Sequence, residues 1–229
     1  MALILNLETA TTVCSVSLAK DGHLLAIKEQ DGDYTHSENL TLFITDVLQQ
    51  AGIALSDVEA FAVSQGPGSY TGLRIGVSTA KGLCYSLNKP LIAVSTLQHL
   101  SLSVSEQEGY SDALFCPMID ARRMEVYCAI YDAANKEIKS TAAEIIDEHS
   151  FADFLNAGAV YFFGNGAEKC KRVLAANKNA FFIDNIFLSA KNMITLSEKA
   201  FVNKQFENAA YFEPFYLKDF VAGKKKAAK

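Results

Sequence analysis

Residues 64–82 read SQGPGSYTGLRIGVSTAKG, a glycine-rich turn running into a helix built from small residues. An apolar run of strand character, VEAFAVSQG (58–66), leads into it, and PLIAVSTL (90–97) follows as a further strand. Two phosphate-binding fingerprints fail here. A P-loop needs G-x-x-x-x-G-K-[ST], whereas five residues separate Gly66 from Gly72 and Leu73-Arg74 stands where Lys-Ser is required. The dinucleotide fingerprint G-x-G-x-x-G meets Gly66, Gly68 and Gly72 with one residue too many, and no strand ending in an acid follows about 20 residues on. What remains is a strand-to-helix turn in which Pro67 stiffens the chain, Gly68 can take a positive φ and Thr71 can cap the helix. The N–H groups of such a helix start make Gly66, Gly68, Ser69 and Thr71 a candidate anion-binding turn, and that reading and the plain capped turn both stay open.

The helix predicted over 71–87 carries Gly72, Gly76 and Ala80 at a spacing of four, with Thr79 and Gly82 beside them. Each glycine inside a helix costs on the order of 1 kcal/mol relative to alanine, so a close contact is expected to offset it. Either the helix lies close on its own sheet or another helix packs there.

Working outward, residues 2–10, 12–19 and 23–30 read as three strands, the last after the turn Asp21-Gly22. Residues 36–52 place Leu40, Phe43, Ile44, Val47 and Leu48 on one helical face, with Ser37 as N-cap and Gly52 as the stop. The order strand, strand, strand, helix, strand, helix, strand predicts a mixed sheet with helices packed on it, an α/β unit over residues 1–100. Residues 101–229 repeat the theme more loosely, with strands at 114–121, 125–132 and 180–184, a strand, glycine turn and helix start at 161–169, and a last helix at 194–206 expected to pack back on the first half. Two such halves predict a duplicated, two-lobed architecture.

With 229 residues, half of them hydrophobic, the chain can bury a substantial core, and a net charge of -5 gives it no overall basic field. The tail GKKKAAK (223–229) reads as a solvated end, and the lack of an aromatic-basic cluster disfavours a stand-alone RNA-binding module. Five scattered cysteines form no C-x-x-C pair, which argues against a zinc ribbon or redox dithiol and fits a reducing compartment. The apolar start is a strand's length with no basic leader region, and no apolar run approaches the ~20 residues of a membrane span, so a cytoplasmic location is expected.

ILNLETATTVCSVSL at the start, HSENL, SQGPGSYTGLRIGVSTAKGL, PLIAVSTL and MIDARRMEVYCAIYD together resemble the TsaB (YeaZ) family, strongly over about the first 130 residues. EPFYL (213–217) resembles that family's closing motif. The resemblance implies an actin-like fold shared with sugar kinases and heat-shock ATPases. It implies a non-catalytic subunit that binds and activates a paralogous transferase, TsaD, with the ATPase TsaE joining, to place a threonylcarbamoyl group on the adenosine following the anticodon of tRNA. The paralogue carries an H-x-x-x-H metal-binding pair after the strand equivalent to 90–97. Here those positions fall on Thr96 and Leu100, with His99 one residue out of register, so no metal site is expected.

The resemblance further implies a four-helix contact to the paralogue. On the helices at 36–52 and 71–87, the candidate interface residues are Leu40, Phe43, Ile44, Val47, Thr71, Gly72, Leu73, Gly76, Val77 and Ala80, and the same surface could close a homodimer when the partner is absent. No cofactor is expected in the isolated chain, nucleotide binding being reserved for an inter-subunit site, and tRNA is expected to bind only as part of the complex. The competing reading is an enzyme acting alone, metallopeptidase-like or ATP-dependent. Glu8 stands where the family usually has Asp, and no His-Asp pairing can be nominated to activate Ser69.

Overall fold

The computed structural model describes residues 2–32, 36–106 and 113–218. The lysine tail and residues 33–35 lie outside them.

Three strands open the chain, β1 (Leu3–Glu8), β2 (Val13–Lys20) and β3 (His23–Asp31), followed by α1 (His36–Ala51), β4 (Ala60–Gly66), α2 (Tyr70–Leu87) and β5 (Leu91–Ser95). They form one sheet in the order β3-β2-β1-β4-β5. β1 pairs antiparallel with β2 and parallel with β4. The pattern follows from the connections: a short turn at Asp21-Gly22 allows an antiparallel neighbour, whereas crossover helices return the chain in parallel.

After α3 (Thr96–Ser105) the second sheet is built from β6 (Leu114–Asp120), β7 (Glu125–Tyr131), β8 (Glu137–Ile145), β9 (Val160–Phe163) and β10 (Ala180–Ile183), with α4 (Ala152–Ala157) and α5 (Ala167–Leu174) between the last strands and α6 (Ile194–Val202) at the end. Its order, β10-β9-β6-β7-β8, is the first sheet's read from the other edge. Two successive copies of one strand topology, each flanked by helices, make the actin-like two-lobed fold that was expected.

Four clusters of buried side chains fill the molecule. α1 and α2 cover one face of the first sheet, with Leu40, Ile44, Val47, Val77 and Ala80 set against Leu5, Val16, Phe61 and Val63. The opposite face, Ile4, Ala62, Ile92 and Val94, is closed by Ala190, Met193 and the partly buried Leu196, Ala200 and Phe201. α6 and the turn before it therefore complete the first lobe. The division expected at residue 100 falls inside α3, whose Leu97, Leu100 and Val104 pack with Phe115, Ile119 and Tyr131 of the second sheet. α3, β8 and α4 had no counterpart among the elements read from the sequence.

Candidate functional site

The structure places the glycine turn at the meeting point of three segments. Ser69, not Thr71, is the N-cap of α2: its hydroxyl accepts from the Gly72 N–H at 3.3 Å. The Ser69 N–H donates to Ala10 O at 2.7 Å, and the Gly66 N–H donates to the Thr96 hydroxyl at 3.1 Å. Of the candidate anion-binding turn, Gly66 and Ser69 thus have their N–H groups engaged within the protein, and Gly68 presses on Ala10 so closely that a Cβ would overlap its carbonyl. At Gly66, where φ is +113°, a Cβ would come within 2.6 Å of Phe215 O. These glycines give the first hairpin and the C-terminal segment room to approach, which explains them without a phosphate.

The same correction applies to the small face of α2. A Cβ at Gly72 would overlap Thr9 O, and one at Gly76 would overlap the Thr9 hydroxyl, which itself donates to Gly72 O at 2.8 Å. Leu40, Phe43, Ile44, Val47, Gly72, Leu73, Gly76, Val77 and Ala80 are all buried within the lobe, and of the ten residues read as a docking face only Thr71 is exposed. They are core residues because the apolar stripe of an amphipathic helix turns toward its own sheet.

The outward faces of the two helices are different in kind. α1 exposes Thr41, Leu42, Thr45, Asp46, Gln49 and Gln50, and α2 exposes Thr71, Arg74, Ser78, Gly82, Tyr85 and Ser86. Leu42 is 59% exposed and Tyr85 90%. The charges nearby are engaged: Asp46 faces Lys28 at 3.6 Å, and Arg74 lies over the Tyr70 ring. Lys81 reaches Ala210 O and Phe212 O at 3.2 and 2.9 Å. Ser78, Gly82 and Ser86 form a second small stripe at a spacing of four, and a Cβ at Gly82 would meet nothing within 4 Å. Unlike Gly72 and Gly76, Gly82 has no neighbour among the described residues within 4 Å of where a Cβ would sit, so nothing there offsets its helix cost.

Histidine placement differs from expectation. His99 is fully buried in α3, and its Nε2 lies 2.6 Å from Glu8 Oε2. Glu8 Oε1 accepts from Ser64 Oγ at 3.0 Å and from the Ala10 N–H at 2.5 Å. The carboxylate at the end of β1 is therefore fixed to β4 and α3. Thr96 is buried and engaged with Gly66, and Leu100 packs between the lobes. Among the described residues no group of three or more His, Cys, Asp or Glu side chains could hold a metal. His36 is part of α1 rather than preceding it, with Nε2 2.7 Å from Thr11 O.

Whether a nucleotide could sit between the lobes of this chain depends on the residues that line the space there. The cavity at Thr11, Thr12, Leu100, Ile119 and Phe187 is about 160 Å³, well below the roughly 300 Å³ at which ligand pockets begin. The wider groove beside it, about 410 Å³, is lined by the carboxylates Glu29 and Asp31 with Lys191 as its cation. Two anions facing a triphosphate are unfavourable, and the residues present do not fit that group. The five thiols are all buried and unpaired. Burial pushes those of Cys14, Cys84 and Cys170 up to about 11, so they are poor nucleophiles.

The comparisons with known proteins agree with this arrangement. A family model described as TsaD, tRNA N6-adenosine threonylcarbamoyltransferase, matches residues 32–226. The tRNA threonylcarbamoyladenosine biosynthesis protein TsaB of Escherichia coli is 31% identical, over 99% of both chains. That of Haemophilus influenzae is 28% identical, over 97% of this chain and 96% of its own. A solved structure of YeaZ from Pseudomonas aeruginosa superposes with a TM-score of 0.81 at 28% identity, over 95% of this chain and all of its own. Full-length similarity to these relatives, a shared two-lobed fold and the match to the transferase model lead to one conclusion: the chain belongs to the TsaB (YeaZ) family of tRNA threonylcarbamoyladenosine biosynthesis proteins, within the broader family of the tRNA N6-adenosine threonylcarbamoyltransferases.

Proposed function

We propose that this chain is the non-catalytic subunit of a cytoplasmic tRNA threonylcarbamoyl-transferring assembly, docking on the paralogous TsaD through the outward faces of α1 and α2. The observation that carries the reading is Gly82, a helix-interior glycine open to solvent, beside a strongly exposed Tyr85 and an exposed Leu42. Interface centres are depleted in charge and enriched in aromatic residues, and a small-residue stripe lets a second helix approach closely. Glu8 and His99 pair with each other in the interior of this lobe. TsaE joins the assembly, and any nucleotide sits at a surface between subunits rather than in the narrow cleft of this chain. In the absence of TsaD the same face closes on a second copy, an isologous contact.

The test is threonylcarbamoyl transfer to tRNA by TsaD of the same organism, with and without this chain, alongside the chain alone and its Gly82→Leu and Tyr85→Asp variants. Transfer that requires both proteins and fails with both variants, while the variants keep the wild-type melting temperature, supports the reading. Transfer or ATP hydrolysis by the chain alone overturns it, and so does undiminished co-purification of the variants with TsaD.

A further inference from the structure

The sequence contains no aromatic-basic cluster, but the fold assembles one from three distant segments. At the start of α2, Arg74 lies with Cζ 5.3 Å from the centre of the Tyr70 ring and donates from Nη1 to its hydroxyl at 3.1 Å. Tyr216, in the C-terminal segment, packs its ring on Tyr70 with centroids 4.9 Å apart and remains 36% exposed. Two residues on, Lys218 pairs with Glu125 at the start of β7, bringing the β6–β7 hairpin alongside.

The tip of that hairpin is Arg122-Arg123, both exposed and both left-handed, with φ of 71° and 48°. This is backbone that asparagine and glycine take readily and arginine rarely does. The tip is nonetheless held firmly. The Glu125 N–H donates to Arg122 O at 3.1 Å, the Ile146 N–H donates to Met124 O at 2.8 Å, and Lys169 reaches both Glu125 O and the Asp120 carboxylate. Asp120 and Glu125 thus already have lysine partners, while neither Arg122 nor Arg123 has an acidic partner among the described residues. Glu213, near Tyr216, is the remaining carboxylate beside the aromatic pair.

We propose that this surface, Arg122 and Arg123 with Tyr216 stacked on Tyr70 and Arg74, binds an unpaired RNA segment: the two guanidinium groups take backbone phosphates, and the Tyr216 ring offers a base a stacking platform. Cations that track a backbone beside aromatic rings that stack bases are the common solution for single-stranded nucleic acid. A pinned turn holds the two arginine backbones in place, and planar guanidinium groups suit phosphate oxygens. RNA is chosen among polyanions on the strength of the function proposed above. The surface lies at the N-terminal end of α2, whereas Gly82 and Tyr85 mark its C-terminal half.

The experiment titrates the full chain against a fluorescent anticodon stem-loop RNA by anisotropy, from about 50 mM to 200 mM salt, and follows co-purification with TsaD on the same variants. Arg122→Asn/Arg123→Gly removes both charges and relaxes the turn. Binding should weaken about tenfold, the log-log salt slope should fall by roughly 1.5, and the melting temperature should hold or rise. Tyr216→Ala should weaken binding of the stem-loop but not of a fully paired duplex of equal length. Lys204→Gly is the matched control, an exposed lysine with φ of 54° after α6, and should bind as wild type. Wild-type affinity and slope in the double arginine variant overturn the proposal, as does an equal loss in Lys204→Gly or no binding by the wild type at the lowest salt. Retained TsaD binding with lost RNA binding separates this surface from the docking face. A wild-type chain that binds the stem-loop but does not co-purify with TsaD would count against the proposed function alone.

Discussion

His99 Nε2 lies 2.6 Å from Glu8 Oε2, and solvent reaches neither side chain. The pair ties the end of β1 to α3, with Ser64 of β4 as a third member. Removing one partner of a buried hydrogen-bonded pair strands the other without a partner, at about 1–3 kcal/mol.

His99→Leu is therefore expected to lower unfolding stability by about 1–3 kcal/mol. Glu8→Leu/His99→Leu should cost clearly less than the sum of the two single changes, because neither polar group is left stranded opposite the other. Urea titrations of the four proteins measure the coupling. Strict additivity would show that the contact does not carry the energy assigned to it.

Two glycines of one helix should respond in opposite directions. Gly76→Ala places a Cβ on the Thr9 hydroxyl and against Val63, and is expected to destabilise by about 1–3 kcal/mol. Gly82→Ala meets open space and should stabilise the isolated chain by roughly 0.5–1 kcal/mol. Chemical denaturation decides both, and a destabilising Gly82→Ala would mean that the Gly82 stripe of α2 packs against the protein's own lobe instead of facing solvent.

Stability should fall on the alkaline side. The thiols of Cys14, Cys84 and Cys170 are raised from 9.0 to about 11 by burial, and the Tyr131 hydroxyl from 10.0 to about 12, again mainly by burial. Each group ionises more easily in the unfolded chain, so the thiol contributions are fully present below pH 9.0 and lost as pH climbs through about 11, and that of Tyr131 is present below pH 10.0 and lost through about 12. The urea midpoint should hold from about pH 8 to pH 9 and then drop toward pH 11, and native thiols should resist thiolate-selective reagents until the protein opens. Rapid labelling of all five cysteines at neutral pH would contradict their burial.

Lys81 anchors the C-terminal segment through two carbonyls, at Ala210 and Phe212. Lys81→Met removes a charged donor from both, a loss of about 1.5–3 kcal/mol in local holding. Chymotrypsin should then cut at Tyr211, itself strongly exposed, several-fold faster than in the wild type, with little change in global melting. Unchanged cleavage would show that Phe212 and the Glu207 N–H bond to Leu91 O hold the segment without Lys81.

Periodicity carried most of the first lobe. The expected helix at 71–87 is observed as Tyr70–Leu87, and the strand at 58–66 as Ala60–Gly66. α3 was hidden because its N-cap, Ser95, follows the strand LIAV without a glycine or proline to mark the change. β8 was missed because an edge strand with EIKSTAAEI lacks the alternation that burial on one face imposes. The docking face illustrates a different limit. α2 carries two stripes of small residues, Gly72-Gly76-Ala80 and Ser78-Gly82-Ser86, and spacing alone does not say which one faces the sheet. Nor could the sequence bring Tyr216, Tyr70 and Arg122 together, since each is isolated in its own segment.

The far face of the first sheet is closed by residues 190–201, and the turn after β4 receives Phe215, whose N–H donates to Gln65 O at 2.7 Å. During synthesis the opening hairpin leaves the ribosome first, yet its sheet keeps one apolar face uncovered until residues 190–201 have followed. The N-terminal half therefore cannot mature ahead of the rest, as sequentially folding domains do. A nascent chain stalled before residue 190 would leave that sheet bare on one face.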